Sequence, residues 1–172
     1  STPFDALGRL VTNFYTRAPL EDVIGHNSVF VVGGSVTEEN PVSEYLLRDA
    51  ARRRQTNLLM LSARPSRLEA DARVVVRVPP GGEAASLAAV AARLAAVAGL
   101  VDIAATASND GPDRLAEALT EGRSATVLVS VDLLRSSEAR ATVQQLSNLL
   151  QVLRMLGKNI AMQFLFDRAN QL

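Results

Sequence analysis

The 172-residue chain contains no cysteine, which excludes a disulfide, a thiolate nucleophile and any cysteine-ligated iron–sulfur cluster built from this chain alone. Aromatic residues make up 4% of it, against 48% for all hydrophobic residues. The core must therefore be assembled from alanine, valine and leucine, a composition suited to packed helices and buried strands. Histidine occurs once, at His26, so an imidazole-based metal site has no second ring to recruit and no partner suggested by spacing. That residue is expected in a turn or at the surface. Eighteen basic residues offset eighteen acidic ones, and a chain without net charge has no overall attraction for nucleic acid or an anionic membrane. No apolar run approaches the roughly 20 residues needed to cross a bilayer. Asp5, Arg9 and Asn13 also interrupt the apolar residues of the start, unlike a signal peptide. The expectation is a soluble protein, one domain in size, with no nucleic-acid partner and no direct membrane insertion.

Two nucleotide fingerprints and one hydrolase fingerprint are missing as well. The junction Gly33-Gly34-Ser35-Val36-Thr37-Glu38-Glu39-Asn40-Pro41 is neither GxGxxG nor GxxxxGK[ST], and no GxSxG supports a serine triad with His26. Glu38 and Glu39 suit a helix N-terminus through its dipole, and the same acids would repel a phosphate. The start at Ser1-Thr2-Pro3, without an initiator Met, and the abrupt end after apolar Phe164-Leu165-Phe166 predict a segment of a longer protein.

What is present is an alternation of short apolar runs and helical periods. Leu7, Leu10, Val11, Phe14 and Tyr15 recur at helical spacing, with Pro19 expected to end that helix and Leu20 to Ile24 to form a short turn. Ser28–Val32 is continuous and β-branched, as a strand covered on both faces should be. Asn40 is placed to cap a helix opened by Pro41, with Val42, Tyr45, Leu46 and Ala50 on its expected buried face and Arg52, Arg53 and Arg54 at its cation-favouring end. Asn57–Leu61 completes a βαβ unit. Val74–Val78 is a strand expected at a sheet edge, broken by Pro79-Pro80-Gly81-Gly82. The helix 83–98 should bury Leu87, Val90, Ala91, Leu94 and Val97. Thr106 to Pro112 is the candidate loop, with a possible internal boundary near 104–112. A short helix 113–121, in which capping accounts for Asp110 and Asp113, leads to the strand Ala125–Val131. Ser136 or Ser137 is expected to cap a long helix burying Val143, Leu146, Leu150 and Leu153. Gly157 ends it before a last strand, Ile160–Leu165. The pattern is that of an α/β fold, Rossmann-like and doubly wound, with a mostly parallel open sheet and helices on both faces. Strand order is not readable from it.

Arg64, Arg67, Arg73 and Arg77 gather around the second strand and its exit. They could hold a phosphate or a partner's carboxylates through bidentate contacts, or form a solvated face paired with Glu69 and Asp71. Nothing in the chain assembles catalytic, cofactor-binding or metal-binding residues, and none is expected.

Particular residues nevertheless resemble a known superfamily. Val31-Val32-Gly33-Gly34-Ser35-Val36-Thr37-Glu38-Glu39-Asn40-Pro41, followed by Leu46-Leu47-Arg48 and Ala50-Ala51-Arg52, is similar to a stretch of the molybdopterin oxidoreductases. So are Leu58–Arg64, Ala70-Asp71-Ala72 with Val75–Val78, Pro80–Ala84, and the closing 159–172. Within that superfamily, the phrases "VTEENP" and "LSARPSR" resemble the G chain of respiratory NADH:quinone oxidoreductase, complex I. The resemblance implies a cluster-binding region elsewhere in the parent chain, followed by a molybdopterin-type domain that keeps the fold and generally lacks the pterin. Relatives that bind the guanine dinucleotide use a strand-end aspartate, and the matching position here is Ser62, which cannot make a charged bidentate contact. The next family residue, proline, is Ala63; Arg64 is retained, and Glu39 lies near the family's loop acid.

On this resemblance the chain is expected to be a non-catalytic scaffold or subunit-docking domain. It would have no cofactor of its own, iron–sulfur clusters in the parent chain, and partners among the subunits of the peripheral arm. Its expected place is cytoplasmic, peripheral to the inner membrane. A fragment of a true molybdopterin enzyme such as a formate dehydrogenase is the alternative. A third reading is a nucleotide-binding module like the middle domain of thiamine-diphosphate enzymes.

Overall fold

A computed structural model describes residues 3–16, 19–20, 24–34, 36–100 and 110–165, without the side chains of 3–6 and 39. Five strands form one sheet: β1 (Ser28–Val32), β2 (Asn57–Ser62), β3 (Val74–Arg77), β4 (Ser124–Ser130) and β5 (Asn159–Leu165). Their order is β3-β2-β1-β4-β5 and every pairing is parallel. β1 is central, with Phe30 in register with Leu59 on one side and Val127 on the other. All five of its residues are buried, which is why its apolar run does not alternate. β3 lies at the edge, as expected. Residues 101–109, which hold most of the candidate boundary, lie outside the described residues; strands from before and after them pair directly.

The two faces are covered unequally. Phe30, Val32, Leu59, Leu61, Val127 and Met162 face a layer of four helices: α1 (Pro3–Phe14), α4 (Glu83–Val97), α5 (Gly111–Thr120) and α7 (Ala139–Met155). Val29, Val31, Leu58, Met60 and Leu128 face α3 (Pro41–Arg53) together with Ile24, Leu68 and Val36, the last in the single turn α2 (Val36–Glu39). Among the described residues no helix is long and apolar enough to cross a membrane.

Several local expectations hold for their physical reasons. Asn40 Oδ1 accepts from Ser43 N at 3.1 Å, with Pro41 at the first helical position. Gly157 takes φ +74° after α7, and Lys158 N closes back onto Leu153 O at 3.1 Å, a Schellman-type stop. Val143, Leu146, Leu150 and Leu153 are all buried.

Others are corrected. α3 is rolled from its expected orientation: Ala50 is buried and Leu46 packs against the core as expected, but Ser43 and Leu47 complete the inward side, whereas Val42 and Tyr45 are 64% and 69% exposed. Buried Ser43 is polar, so apolar periodicity does not register it. Val97, in the last turn of α4, is also exposed. α1 ends at Phe14, before Pro19, because Tyr15 and Thr16 turn to the edge of β5, where Thr16 N donates to Met162 O at 3.0 Å. Ile24 N returns to Leu20 O at 2.9 Å; residues 21–23 lie outside the described residues. Neither Ser136 nor Ser137 caps α7. A separate turn, α6 (Asp132–Arg135), intervenes, Ser136 Oγ donates to Leu133 O at 2.8 Å, and α7 starts after Glu138 without a side-chain cap. Asp110 occupies the N-cap position of α5 but makes no side-chain cap bond.

The amino-terminal edge of the sheet is tied by Asn27, whose Oδ1 accepts from Arg123 N (2.9 Å), Ser124 N (3.2 Å) and Ser124 Oγ (3.1 Å). Asn27 is exposed, so water can replace it as acceptor, and its replacement with alanine should cost about 0.5–1.5 kcal/mol, read as a lowered urea midpoint at unchanged slope.

Candidate functional site

In this strand order the chain runs outward from β1 to β3, then crosses to β4 on the other side of β1. The direction reverses between β1 and β4, and the crevice at the carboxyl ends of these two strands is where open α/β sheets take ligands. Gly33 and Gly34 leave β1 with φ of +74° and +64°, a backbone conformation that side chains resist. Gly33 N extends the ladder to Leu61 O at 2.7 Å. Against it lies Leu133 of α6, itself 7% exposed. A Cβ on Gly33 would stand 2.5 Å from both Cγ and Cδ1 of that leucine. Leu133 therefore packs directly on the backbone at the switch point and narrows it.

Beyond Leu133 a crevice of about 220 Å³ remains, lined by Gly34, Ala63, Arg64, Pro80, Gly81, Glu83, Asp132 and Ser136 besides that leucine. Ligand sites usually enclose about 300–1,000 Å³. Next in the chain to the lining residues Ala63 and Arg64, Ser62 is buried and fully engaged at the end of β2. Its Oγ donates to Arg64 O at 3.0 Å and accepts from Arg77 Nη1 at 3.1 Å. Arg77 Nη2 meets Glu69 Oε1 at 2.5 Å, and the same oxygen accepts from Ser66 N at 2.7 Å to close a capping box on the 3₁₀ turn Arg67–Asp71. The arrangement can hold a loop in place; its hydroxyl and guanidinium are already engaged with one another. Glu38 is exposed, while the side chain of Glu39 lies outside the described residues.

The four arginines read together in the sequence are not brought together. Arg73 sits at the start of β3, at the opposite end of the sheet, where it pairs through two nitrogens with Glu121 and donates to Asn57 Oδ1 at 3.0 Å. Arg77 is at the other end of the same strand, Arg64 lines the crevice, and Arg67 lines a separate groove on α3. Four residues of extended chain separate Arg73 from Arg77 by roughly 13 Å. Glu69 does pair with Arg77, whereas Asp71 is taken by Arg48 and Arg52. Asp113 lies 3.8 Å from Arg93 Nε. His26, half-buried in the turn before β1, shares a 2.8 Å hydrogen bond between its Nδ1 and Thr126 Oγ1. No group of three or more potential metal-ligating side chains occurs among the described residues.

Sequence reasoning missed Lys158, which donates to the carbonyls of Thr120 and Gly122, both at 2.5 Å, and so pins the turn between α5 and β4. Burial pushes its ammonium below the ordinary range, and the charge of Glu121 opposes that. Nothing in the order of residues brings 158 to 120.

Two carboxylates here carry a pH signature. The Arg52 hydrogen bond holds Asp71 below the usual carboxylate range despite burial, and the Arg73 hydrogen bond does the same for Glu121. For a depressed folded pKa, the stabilisation is complete above the unfolded values near about 4 and is lost as pH falls through the lower folded ones. The urea midpoint should hold from neutrality to about pH 5 and fall below about pH 4. Asp71→Asn should lower it at neutral pH and flatten that acid limb; an equally steep limb would show that Asp71 does not contribute.

No family model matches the chain. It is 62% identical over 183 aligned positions to the G 2 subunit of NADH-quinone oxidoreductase from Rhizobium meliloti (strain 1021), covering all of this chain and 22% of that protein. The chain thus spans about a fifth of the length of this curated relative. Among solved structures, a chain of the formyltransferase/hydrolase complex FhcABCD from Methylorubrum extorquens, determined with methylofuran, superposes with a TM-score of 0.58. The match covers 94% of this chain and 42% of that one at 18% identity, a likeness of fold alone.

Proposed function

Because the chain is homologous along its whole length to a segment of the NADH-quinone oxidoreductase G 2 subunit, we propose that it serves such a complex as a scaffold without redox chemistry of its own. The parent complex passes electrons from NADH to quinone through iron–sulfur clusters held in other parts of the same polypeptide. This segment stiffens that polypeptide and presents surfaces to its neighbours in the peripheral arm, on the cytoplasmic side of the membrane.

The observation that carries the reading is the state of the switch point. Leu133 packs onto Gly33 and narrows it, and the strand-end residue that would grip a dinucleotide is Ser62, tied to Arg64 O and Arg77. The absence of cysteine from the whole chain supports it, since thiolates are the usual ligands of iron–sulfur clusters. A fold can outlive its ligand and remain useful as a rigid body.

Removing this segment from the full-length subunit tests the reading. The remaining subunit should keep its iron–sulfur electron paramagnetic resonance signals while the yield of assembled oxidoreductase falls. Normal assembly with one cluster signal lost would assign the segment a redox role and overturn the scaffold reading.

A further inference from the structure

The outward side of α3 is unused by the crevice. Val42 and Tyr45, neighbours one turn apart, leave most of their surface exposed, and beside them runs an open groove of about 480 Å³ bordered by Tyr45, Arg48, Arg52, Arg53 and Arg67. One carboxylate organises it. Asp71, its side chain 8% exposed, accepts from Arg48 Nε at 2.9 Å on one oxygen and from Arg52 Nε at 2.5 Å on the other. A guanidinium held through Nε keeps its terminal amino groups for a further acceptor. Arg48 Nη1 reaches Glu44 only at 3.5 Å, the outer limit of a hydrogen bond.

Charge then decides the occupant. Four guanidiniums (Arg48, Arg52, Arg53 and Arg67) face three carboxylates (Glu44, Asp49 and Asp71), an excess of one positive charge on this face, in a chain whose total is zero. Glu44 and Asp49 interrupt the basic row, which disfavours a continuous polyanion such as nucleic acid. Tyrosine and arginine on a pre-oriented helix face are the residue types that anchor protein interfaces.

We propose that this groove docks an acidic segment of a neighbouring protein, whose carboxylates meet Arg48, Arg52 and Arg67 while an adjacent apolar side chain covers Val42 and Tyr45. The inference deepens the scaffold reading by naming one docking surface. Holding Arg48 and Arg52 in place beforehand through Asp71 reduces the ordering cost of each contact.

The test uses the full-length subunit. A synthetic peptide alternating glutamate and leucine should bind by fluorescence anisotropy, whereas its glutamine counterpart should not. Arg67→Glu should weaken binding about tenfold or more, as expected for a lost charge-assisted contact, and Tyr45→Ser should weaken it without altering the thermal midpoint of the subunit. In assembled oxidoreductase, phenylglyoxal should modify Arg67 more slowly than in the detached subunit. Equal binding of both peptides overturns the proposal, as do tighter binding of oligothymidylate and a self-association abolished by Arg67→Glu. Because the peptide measurement needs no complex, a subunit that purifies without oxidoreductase partners defeats the scaffold reading while leaving the groove to be judged on the peptide result.

Discussion

Replacing Gly33 with alanine should destabilise the chain by about 2–5 kcal/mol: about 1–2 for a side chain in left-handed backbone and about 1–3 for overpacking. The second part arises because the new methyl would lie 2.5 Å from Leu133 Cγ, and that leucine is itself buried. Leu133→Ala alone should cost about 2 kcal/mol or more through the void it leaves. In the double variant the collision disappears, so the two costs should sum to less than the singles imply, by about 1 kcal/mol or more. Urea denaturation of the four proteins gives the cycle directly. Strict additivity would mean that Leu133 does not sit on the Gly33 backbone, and the narrowing of the switch point would lose its basis.

Phe30→Ala should have the larger single effect, about 3–5 kcal/mol. Phe30 is fully buried on the central strand and is flanked in register by Leu59 and Val127, with paired strands on both sides limiting collapse around the void. Against a typical stability of about 5–15 kcal/mol, that is a large share of the total and should show as a marked fall in the urea midpoint. Tyr45→Ala, which removes a ring of comparable size from the outward face of α3, should change stability by no more than about 0.5 kcal/mol. The contrast between these two aromatic truncations, by thermal or urea midpoint, checks the rolled orientation of that helix. A loss for Tyr45→Ala approaching that of Phe30→Ala would contradict it.

The difference between those two residues also shows what the sequence made legible. Strands buried on both faces announce themselves as unbroken apolar runs, and Ser28–Val32 has little alternative in a chain with so few aromatics. The parallel α/β class follows from their alternation with helical periods. The inward face of α3 follows only in part: the stripe Val42, Tyr45, Leu46 and Ala50 places Leu46 and Ala50 correctly, but Leu47 replaces Val42 and Tyr45. The inward side includes Ser43, a polar residue that no apolar stripe would pick out. Likewise Arg73 and Arg77 are near in sequence and apart in space, since an extended strand carries them to opposite ends of β3. Strand order was hidden because no local signal marks the crossing from β3 to β4.

The candidate site was legible in part. Ser62 stood out by its place at the end of a strand, where the resembling superfamily has an aspartate. Its engagement by Arg77 required a contact across 15 residues, and the packing of Leu133 on Gly33 a contact across a hundred. The turn α6 that delivers Leu133 is four residues long and has no periodicity to read.

The central claim concerns what the crevice beneath Arg64 holds in the working protein. Intact subunit, purified without chelators, should be assayed for molybdenum and tungsten by mass spectrometry and for pterin by the fluorescence of its oxidised form. The account predicts neither metal nor pterin above trace levels. Pterin approaching one equivalent per chain, released when this segment is unfolded, would contradict it.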